Sequence, residues 1–326
     1  MIKIKAPKFA APRLSSSIVR SSRTTLIQNS YRVPNNTVSL FSTKAFKNQQ
    51  PTTPINMEKI LKVHTINQHI VESEYAVRGA IVMRAEEHAK MLELQKKEGQ
   101  EKRFLPFDEI VYCNIGNPQS LKQPPLTYFR QYLSLLQYPT LMAPENEHIV
   151  SQLYPKDVLE RARKAMPMIG HSVGAYTHSQ GLPFVRRSIA EFIERRDGFP
   201  CDPNNIFLYD GASPAVQSIL KLLIRKPNDG IMIPIPQYPL YSATVRLLNG
   251  CQVHYYLNEE SDWSLSVDEL KRSYEEALKK DVEIRALVII NPGNPTGQVL
   301  TEDNMKQIVQ FCHEKRLVLM ADEVYQ

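Results

Sequence analysis

No run of 18 or more apolar residues occurs anywhere in this 326-residue sequence, which excludes a helical membrane span. Acidic residues are absent from positions 1–50, where Lys3, Lys5, Lys8, Arg13, Arg20, Arg23, Arg32, Lys44 and Lys47 supply nine positive charges. The net charge of +6 therefore belongs to that leader, and residues 51–326 carry a net −3. A basic balance overall invites a nucleic-acid partner, but a mildly acidic globular part offers no electrostatic footprint for one. Cysteine is sparse: Cys113, Cys201, Cys251 and Cys312 show no C-x-x-C spacing and mostly sit in apolar runs. They read as free core thiols in a reducing compartment, and no metal ligands are assigned. Internal repeats are missing, as is low-complexity sequence beyond the leader.

The leader is rich in Ser and Arg and free of acid, the composition of a transit peptide. A positive presequence is drawn electrophoretically into the mitochondrial matrix, and acids would oppose that pull. Residues 1–50 are therefore expected to be a mitochondrial presequence, removed near residues 40–55. The alternative is a basic tail with no address. At 42% hydrophobic, the rest can bury one large core or two domains.

Hydrophobic patterning predicts a charge-rich helix over 78–98, with Ile81, Val82, Ala85, Ala89 and Leu92 on one stripe and Gly99 as its stop. Glu109 to Cys113 reads as a strand. Pro124 and Pro125 open a helix to about Leu136, a Pro-rich loop reaches Pro144, and residues 151–166 read as one helix. A Gly-rich segment over 170–181 leads to a helix over 185–195. From there strands and helices alternate: Ile206–Tyr209, a helix after Ser213, Ile231–Ile235, a helix after Tyr241, Val253–Leu257 and a helix over 267–280. Arg285 to Ile290 is an apolar strand. It breaks into Asn291-Pro-Gly-Asn-Pro-Thr-Gly297 and a helix from about Thr301, with Met305, Ile308, Val309 and Cys312 on its apolar face. Leu317 to Met320 is the last strand and ends in Asp322-Glu-Val-Tyr325. Apolar strands joined by crossover helices predict a mostly parallel, helix-covered α/β sheet, which binds ligands at its carboxyl edge.

Four features fall at strand ends. Asp210-Gly-Ala-Ser-Pro214 is a turn into a helix, with Ser213 expected as N-cap and Pro214 as first helical residue. Free N–H groups, small side chains and a hydroxyl there make a phosphate cradle. Gly211 lacks the further glycines of a dinucleotide fingerprint and no Walker lysine follows, which disfavours dinucleotides and triphosphates. In Pro234-Ile-Pro-Gln-Tyr-Pro-Leu-Tyr241, prolines hold the backbone extended and aim Tyr238, a flat surface for stacking. Asn294 offers an amide beside the same edge. Asp322 closes an apolar strand and needs a cationic or hydrogen-bonding partner. A pyridinium N–H supplies one, and Tyr325 can donate to a ring hydroxyl. Each feature has a plain structural alternative (a capped helix, a surface tyrosine, an N-capping aspartate). Together they describe the parts of pyridoxal 5′-phosphate (PLP).

The loop Asn294-Pro-Thr-Gly297, Asp322-x-x-Tyr325, Gly211-Ala-Ser213 and Tyr238 resemble the class I and II aminotransferases of PLP fold type I. Tyr75-Ala-Val-Arg-Gly79, Asn114-Ile-Gly-Asn-Pro-Gln119, Gly174-Ala-Tyr176, Arg195-Arg-Asp-Gly198, the extended Pro234 string and Asn291-Pro-Gly-Asn-Pro-Thr-Gly-Gln298 are similar to those of the alanine aminotransferases. The resemblance spans about residues 57–326. It implies an N-terminal arm and part of a smaller α+β domain over 51–125, and a PLP-binding large domain over 126–326, incomplete at its C-terminal side. It also implies that Ala212 and Ser213 hold the phosphate, Tyr238 stacks on the ring, Asn294 and Tyr325 bond the ring oxygen, and Asp322 bonds the ring nitrogen. Gly116 would lie against the substrate carboxylate. Tyr176 would reach the phosphate of a neighbouring subunit, so a homodimer is implied. The reaction implied moves the amino group of L-alanine to 2-oxoglutarate, giving pyruvate and L-glutamate.

The resemblance also implies a covalent lysine beyond the strand that follows Asp322-Glu-Val-Tyr325, and a carboxylate-clamping arginine further on. Neither is found before Gln326, and Lys306 and Lys315 sit on the crossover helix, where they cannot substitute. These 326 residues alone are thus expected not to catalyse the reaction. Two alternatives stand beside this: another class I enzyme, including a relative of aminocyclopropane-carboxylate synthase, or a non-catalytic binding protein.

Overall fold

The computed structural model describes residues 61–74, 79–98, 105–113 and 116–326. The expected presequence, the Gly99 stop, most of Tyr75-Ala-Val-Arg-Gly79 and the start of the Asn114 string lie outside the described residues. All the elements that follow fall within residues 63–326, one structural unit.

Helices come first. A short turn, α1 (Gln68–Val71), precedes α2 (Ala80–Glu98), α3 (Thr127–Gln137), α4 (Glu147–Leu153), α5 (Lys156–Ala165) and α6 (Pro183–Asp197). On α2 the inward stripe follows the half-buried Val82, Ala85 and Ala89 and the buried Leu92, but Ile81 faces outward. The single helix expected over 151–166 is two, because Pro155 has no N–H to give and forces Tyr154 into an extended conformation. Leu135, Leu136, Val150, Val158, Leu159, Ala162, Ala165 and Met166 bring α3, α4 and α5 into one apolar cluster. Gly198, at φ +74, ends α6 in the left-handed conformation that glycine adopts most easily.

The α/β half runs α7 (Ala212–Leu223), β1 (Asp229–Ile235), α8 (Leu240–Leu247), β2 (Cys251–Tyr256), α9 (Val267–Lys279), β3 (Glu283–Ile290), α10 (Glu302–Lys315) and β4 (Val318–Asp322). The four strands are all parallel, in the order β2-β1-β3-β4. From β1 the chain steps outward to β2, then jumps back over β1 to β3 and on to β4. Right-handed crossovers taken in opposite directions along a sheet place their helices on opposite faces.

The side chains follow that rule. Ile231 and Ile233 of β1 and Ala286 and Val288 of β3 pack with Val216 and Leu220 of α7 and Leu240, Tyr241 and Val245 of α8. The intervening Met232, Leu287 and Ile289 pack with Leu270 and Ala277 of α9 and Ile308, Phe311 and Cys312 of α10. Period-two alternation with both faces covered explains why β1 and β3 read as continuous apolar runs.

Several expectations are corrected. Ile206–Tyr209 and Glu109–Cys113 join no ladder among the described residues; Leu208 N–H donates to Gln180 O over 2.9 Å. An apolar alternating pattern marks extended backbone, while a strand needs a neighbour to bond to. On α10 the buried face is Ile308, Phe311 and Cys312, leaving Met305 and Val309 exposed. Of the four cysteines, all free, only Cys312 is a core thiol; Cys201 and Cys251 are half-buried and Cys113 is exposed.

Candidate active site

The switch in direction between β1 and β3 opens a crevice at their carboxyl ends, where a doubly wound sheet binds its ligand. Three segments converge there: the Pro-rich turn after β1, the loop after β3 and the turn after β4.

The loop after β3 is braced on itself. Gly293 N–H donates to Gln298 O over 2.8 Å, Gly297 N–H to Gly293 O over 2.8 Å, and Leu300 N–H to the Asn291 side-chain oxygen over 3.0 Å. It is also tied to the next strand, because Asn291 N–H donates to Asp322 O over 2.9 Å, continuing the register that pairs Ile290 with Asp322. That tie brings Asn294 within reach of the turn after β4, and Asn294 Nδ2 donates to Tyr325 Oη over 3.2 Å. The expected neighbours across the βαβ unit therefore meet.

Asp322 is half-buried and has found partners of its own. Tyr241 Oη donates to Asp322 Oδ2 over 2.6 Å, and Val324 N–H donates to Asp322 Oδ1 over 3.3 Å. The second bond closes a local turn over Asp322–Val324, and no helix follows it among the described residues, so the N-capping alternative is not what this bond shows. The first was not anticipated: Tyr241 stands in the quoted Pro234 string, three residues after Tyr238, but carried no assigned role. Tyr241 is 1% exposed, and burial, then the bond to Asp322, push its phenol well above the usual tyrosine range. It stays a neutral donor. Tyr238 is half-buried against the same cluster of α7, α8, β1 and β3.

The start of α7 corrects one reading. Gly211, not Ser213, is the N-cap, at φ +101 and ψ 174, and Ser213 is already helical. A glycine cap contributes no side-chain acceptor, so the first-turn N–H groups stay uncapped; Pro214, third in the helix, has none to leave unmet. Nothing lies within 4 Å of where a Cβ on Gly211 would be, so the approach is open. Since α7 packs beside α8 in one cluster, this helix start lies on the same sheet face as Tyr241.

Gly116 and Tyr176 are not drawn into this grouping. Gly116 is exposed, and Tyr176 is fully exposed in the loop after Gly170, where Ser172 Oγ accepts from Gly174 N–H over 3.1 Å. Lys306 and Lys315 sit on α10, the opposite face, where Lys306 pairs with Glu302 at 2.7 Å and Lys315 lies 5.1 Å above the Tyr274 ring. Among the described residues no helix is long and apolar enough to cross a membrane.

The family model for aminotransferase class I and II matches residues 151–326. A protein of Dictyostelium discoideum named probable alanine aminotransferase, mitochondrial, is 56% identical over 269 residues, covering 82% of this chain and 49% of its own length. Glutamate–glyoxylate aminotransferase 2 of Arabidopsis thaliana is 47% identical over 268 residues, 82% of this chain and 52% of its own. An alanine aminotransferase structure from Pyrococcus furiosus shares the fold at a TM-score of 0.57, with 24% identity, covering 79% of this chain and 52% of that one. The chain spans about half the length of the curated relatives it matches. The matched region contains every element of the parallel sheet and the crevice at its edge, and it places this chain in the class I and II aminotransferase family.

Proposed function

We propose that the protein carrying these residues uses PLP to transfer the amino group of L-alanine to 2-oxoglutarate, giving pyruvate and L-glutamate. The observation that carries this is the gathering of Asp322, Asn294 and Tyr325 at one sheet edge, on the 2.9 Å and 3.2 Å bonds between the two loops. The residues fit the cofactor chemically. Asp322 offers a carboxylate for a ring N–H, and Asn294 and Tyr325 offer an amide and a phenol to one ring oxygen. The uncapped N–H groups of Ala212 and Ser213, with the Ser213 hydroxyl, suit a phosphate. Tyr238 supplies a face for the ring and Gly116 a bare backbone for a substrate carboxylate. When bound, PLP supplies an electron sink for the bond broken at the substrate carbon. The protein's part is to orient that ring and keep its nitrogen facing a negative charge.

Tyr176, fully exposed in a Gly-rich loop, suits insertion into a second copy, so the protein is proposed to act as a homodimer. The name of the Dictyostelium relative and the acid-free leader support residence in the mitochondrial matrix. The division into residues 1–50, 51–125 and 126–326 is proposed on the same footing.

The test uses protein expressed from its complete coding sequence, stripped of cofactor and resupplied with PLP. Pyruvate release from L-alanine and 2-oxoglutarate is expected to depend on added PLP. Fast turnover of another amino-acid pair with no pyruvate release would replace the substrate assignment with that of another class I aminotransferase, a reading that the 47% identity to a glutamate–glyoxylate enzyme keeps in view. Activity without PLP dependence would remove the cofactor assignment.

A further inference from the structure

Arg186, on α6, is only 6% exposed, and among the described residues no carboxylate pairs with it. A guanidinium taken out of water without a counter-charge must direct its donors at carbonyls. Arg186 Nε donates to Gly181 O over 3.2 Å, and Nη1 donates to Pro203 O over 2.9 Å. The two carbonyls belong to different segments. Gly181 ends the Gly-rich loop that carries Tyr176, and Pro203 stands at the head of the stretch that runs into Gly211. The same segments are joined twice more, because Gln180 Nε2 donates to Asn204 O over 3.0 Å and Leu208 N–H to Gln180 O over 2.9 Å. Their contact is also tight: a Cβ on Gly181, at φ +99, would lie 2.5 Å from the Leu208 side chain. Four bonds and one close approach thus hold the Tyr176 loop against the approach to α7. Arg186 supplies two of the four from one rigid fork.

We infer that Arg186, together with Gln180, is a positioning brace that couples the two phosphate contacts each subunit makes: the one it keeps, at Ala212 and Ser213, and the one it lends, through Tyr176. This rests on the cofactor and homodimer assignments above. Tyr176 lies four residues before Gln180, and Gly211 lies three after Leu208, so each contact is one short step of chain from the brace. Arg186 touches neither cofactor nor substrate in this role. A brace loosened in one subunit disturbs two sites, its own through the turn at Gly211 and its partner's through Tyr176. A role confined to folding would weaken every ligand alike. A role in placing phosphate contacts acts only on ligands that carry a phosphate.

The experiment compares wild-type and Arg186→Lys proteins, each expressed from the complete coding sequence and stripped of cofactor. Lysine keeps the charge, but its single nitrogen lacks the fork that reaches both carbonyls. PLP is expected to bind the variant about tenfold more weakly, while pyridoxal, which lacks the phosphate, binds it as it binds wild type. Equal losses for the two ligands, or no loss for either, would overturn the inference and leave the cofactor assignment intact. Mixed dimers of one wild-type and one Arg186→Lys subunit, isolated through two different affinity tags and loaded with PLP, test the coupling. The phosphorus NMR resonances of both sites are expected to lie away from the wild-type position, because one altered brace serves two sites. A resonance left at the wild-type position would overturn the coupling. Wild-type protein that binds no PLP would instead remove the cofactor assignment, and a wild-type monomer the homodimer assignment, and the inference with either. Should Arg186→Lys not fold, Gln180→Ala, which removes one bond and leaves Arg186 in place, is measured in the same two ways. Its expected loss is about threefold for PLP alone, with both mixed-dimer resonances displaced. An unchanged PLP affinity or an undisplaced resonance overturns the inference.

Discussion

Asn294 Nδ2 donates to Tyr325 Oη over 3.2 Å, joining two residues 31 positions apart that are brought together by the β3-α10-β4 crossover. The pair turns two weak donors into one two-pronged feature, since each holds the other in place before any ligand arrives. Both Asn294→Ala and Tyr325→Phe are expected to weaken PLP binding, each by about tenfold. The double variant is expected to lose less than the product of the two, because either change already frees the other side chain. Fluorescence titration of cofactor-free protein checks this. Strictly multiplicative losses would show that the two residues act independently.

Gly211 holds φ +101 and ψ 174, a conformation that side chains rarely adopt, yet a Cβ there would meet nothing within 4 Å. The cost of Gly211→Ala is therefore conformational rather than steric, about 1–3 kcal/mol. Gly116→Ala has equal space and no positive φ, and is expected to change stability by less than about 0.5 kcal/mol. Urea unfolding of both variants decides it; equal effects would mean that the turn before α7 relaxes without penalty.

At the other end of β1, Asp229 is fully buried and accepts from Arg225 N, Nε and Nη2 over 2.7, 3.0 and 2.9 Å. Those bonds, the side-chain ones foremost, lower its pKa from 3.8 to about 2. A folded-state value below the unfolded one means that the carboxylate stabilises the fold at pH values above about 4. That contribution is lost as pH falls from about 4 to about 2. Asp229→Asn is expected to cost about 1–3 kcal/mol at pH 7, with the gap to wild type narrowing below pH 4. Chemical denaturation at pH 7, 4 and 3 tests the sign. A gap that widened on acidification would contradict the assignment.

Burial raises the Cys312 thiol to about 11, while Cys113 is exposed. A thiol reagent at pH 8 is expected to label Cys113 in the native protein and Cys312 only after denaturant is added. Mass spectrometry of labelled peptides reads this directly. Equal labelling rates at the two positions would mean that α10 opens readily from the sheet.

Much of the α/β half was legible in the sequence because its signals are local. Val288 and its neighbours form a doubly buried run, Thr301 caps α10 through its hydroxyl as its residue type favours, and Gly198 stops α6. Local signals also misled. Pro155 split a helix that periodicity alone continued, and Phe207 and Leu208 lie in an apolar stretch that pairs with no strand among the described residues. Ser213 looked like a cap by residue type, but cap position depends on where the backbone turns, and Gly211 turns it first. Met305 and Val309 matched helical spacing yet face outward, because spacing defines a face without saying which neighbour covers it.

By itself the sequence determined the strand and helix alternation, the identity of the edge that carries Asn294 and Asp322, and the small residues at the start of α7. Those follow from side-chain type and period, which are properties of neighbours along the chain. Only the tertiary structure decided that Tyr241 stands behind Asp322, that Asn294 meets Tyr325, and that α7 and α8 share one face of the sheet. Such pairings depend on the direction in which each crossover moves along the sheet, and strand order is set by packing among elements far apart in sequence.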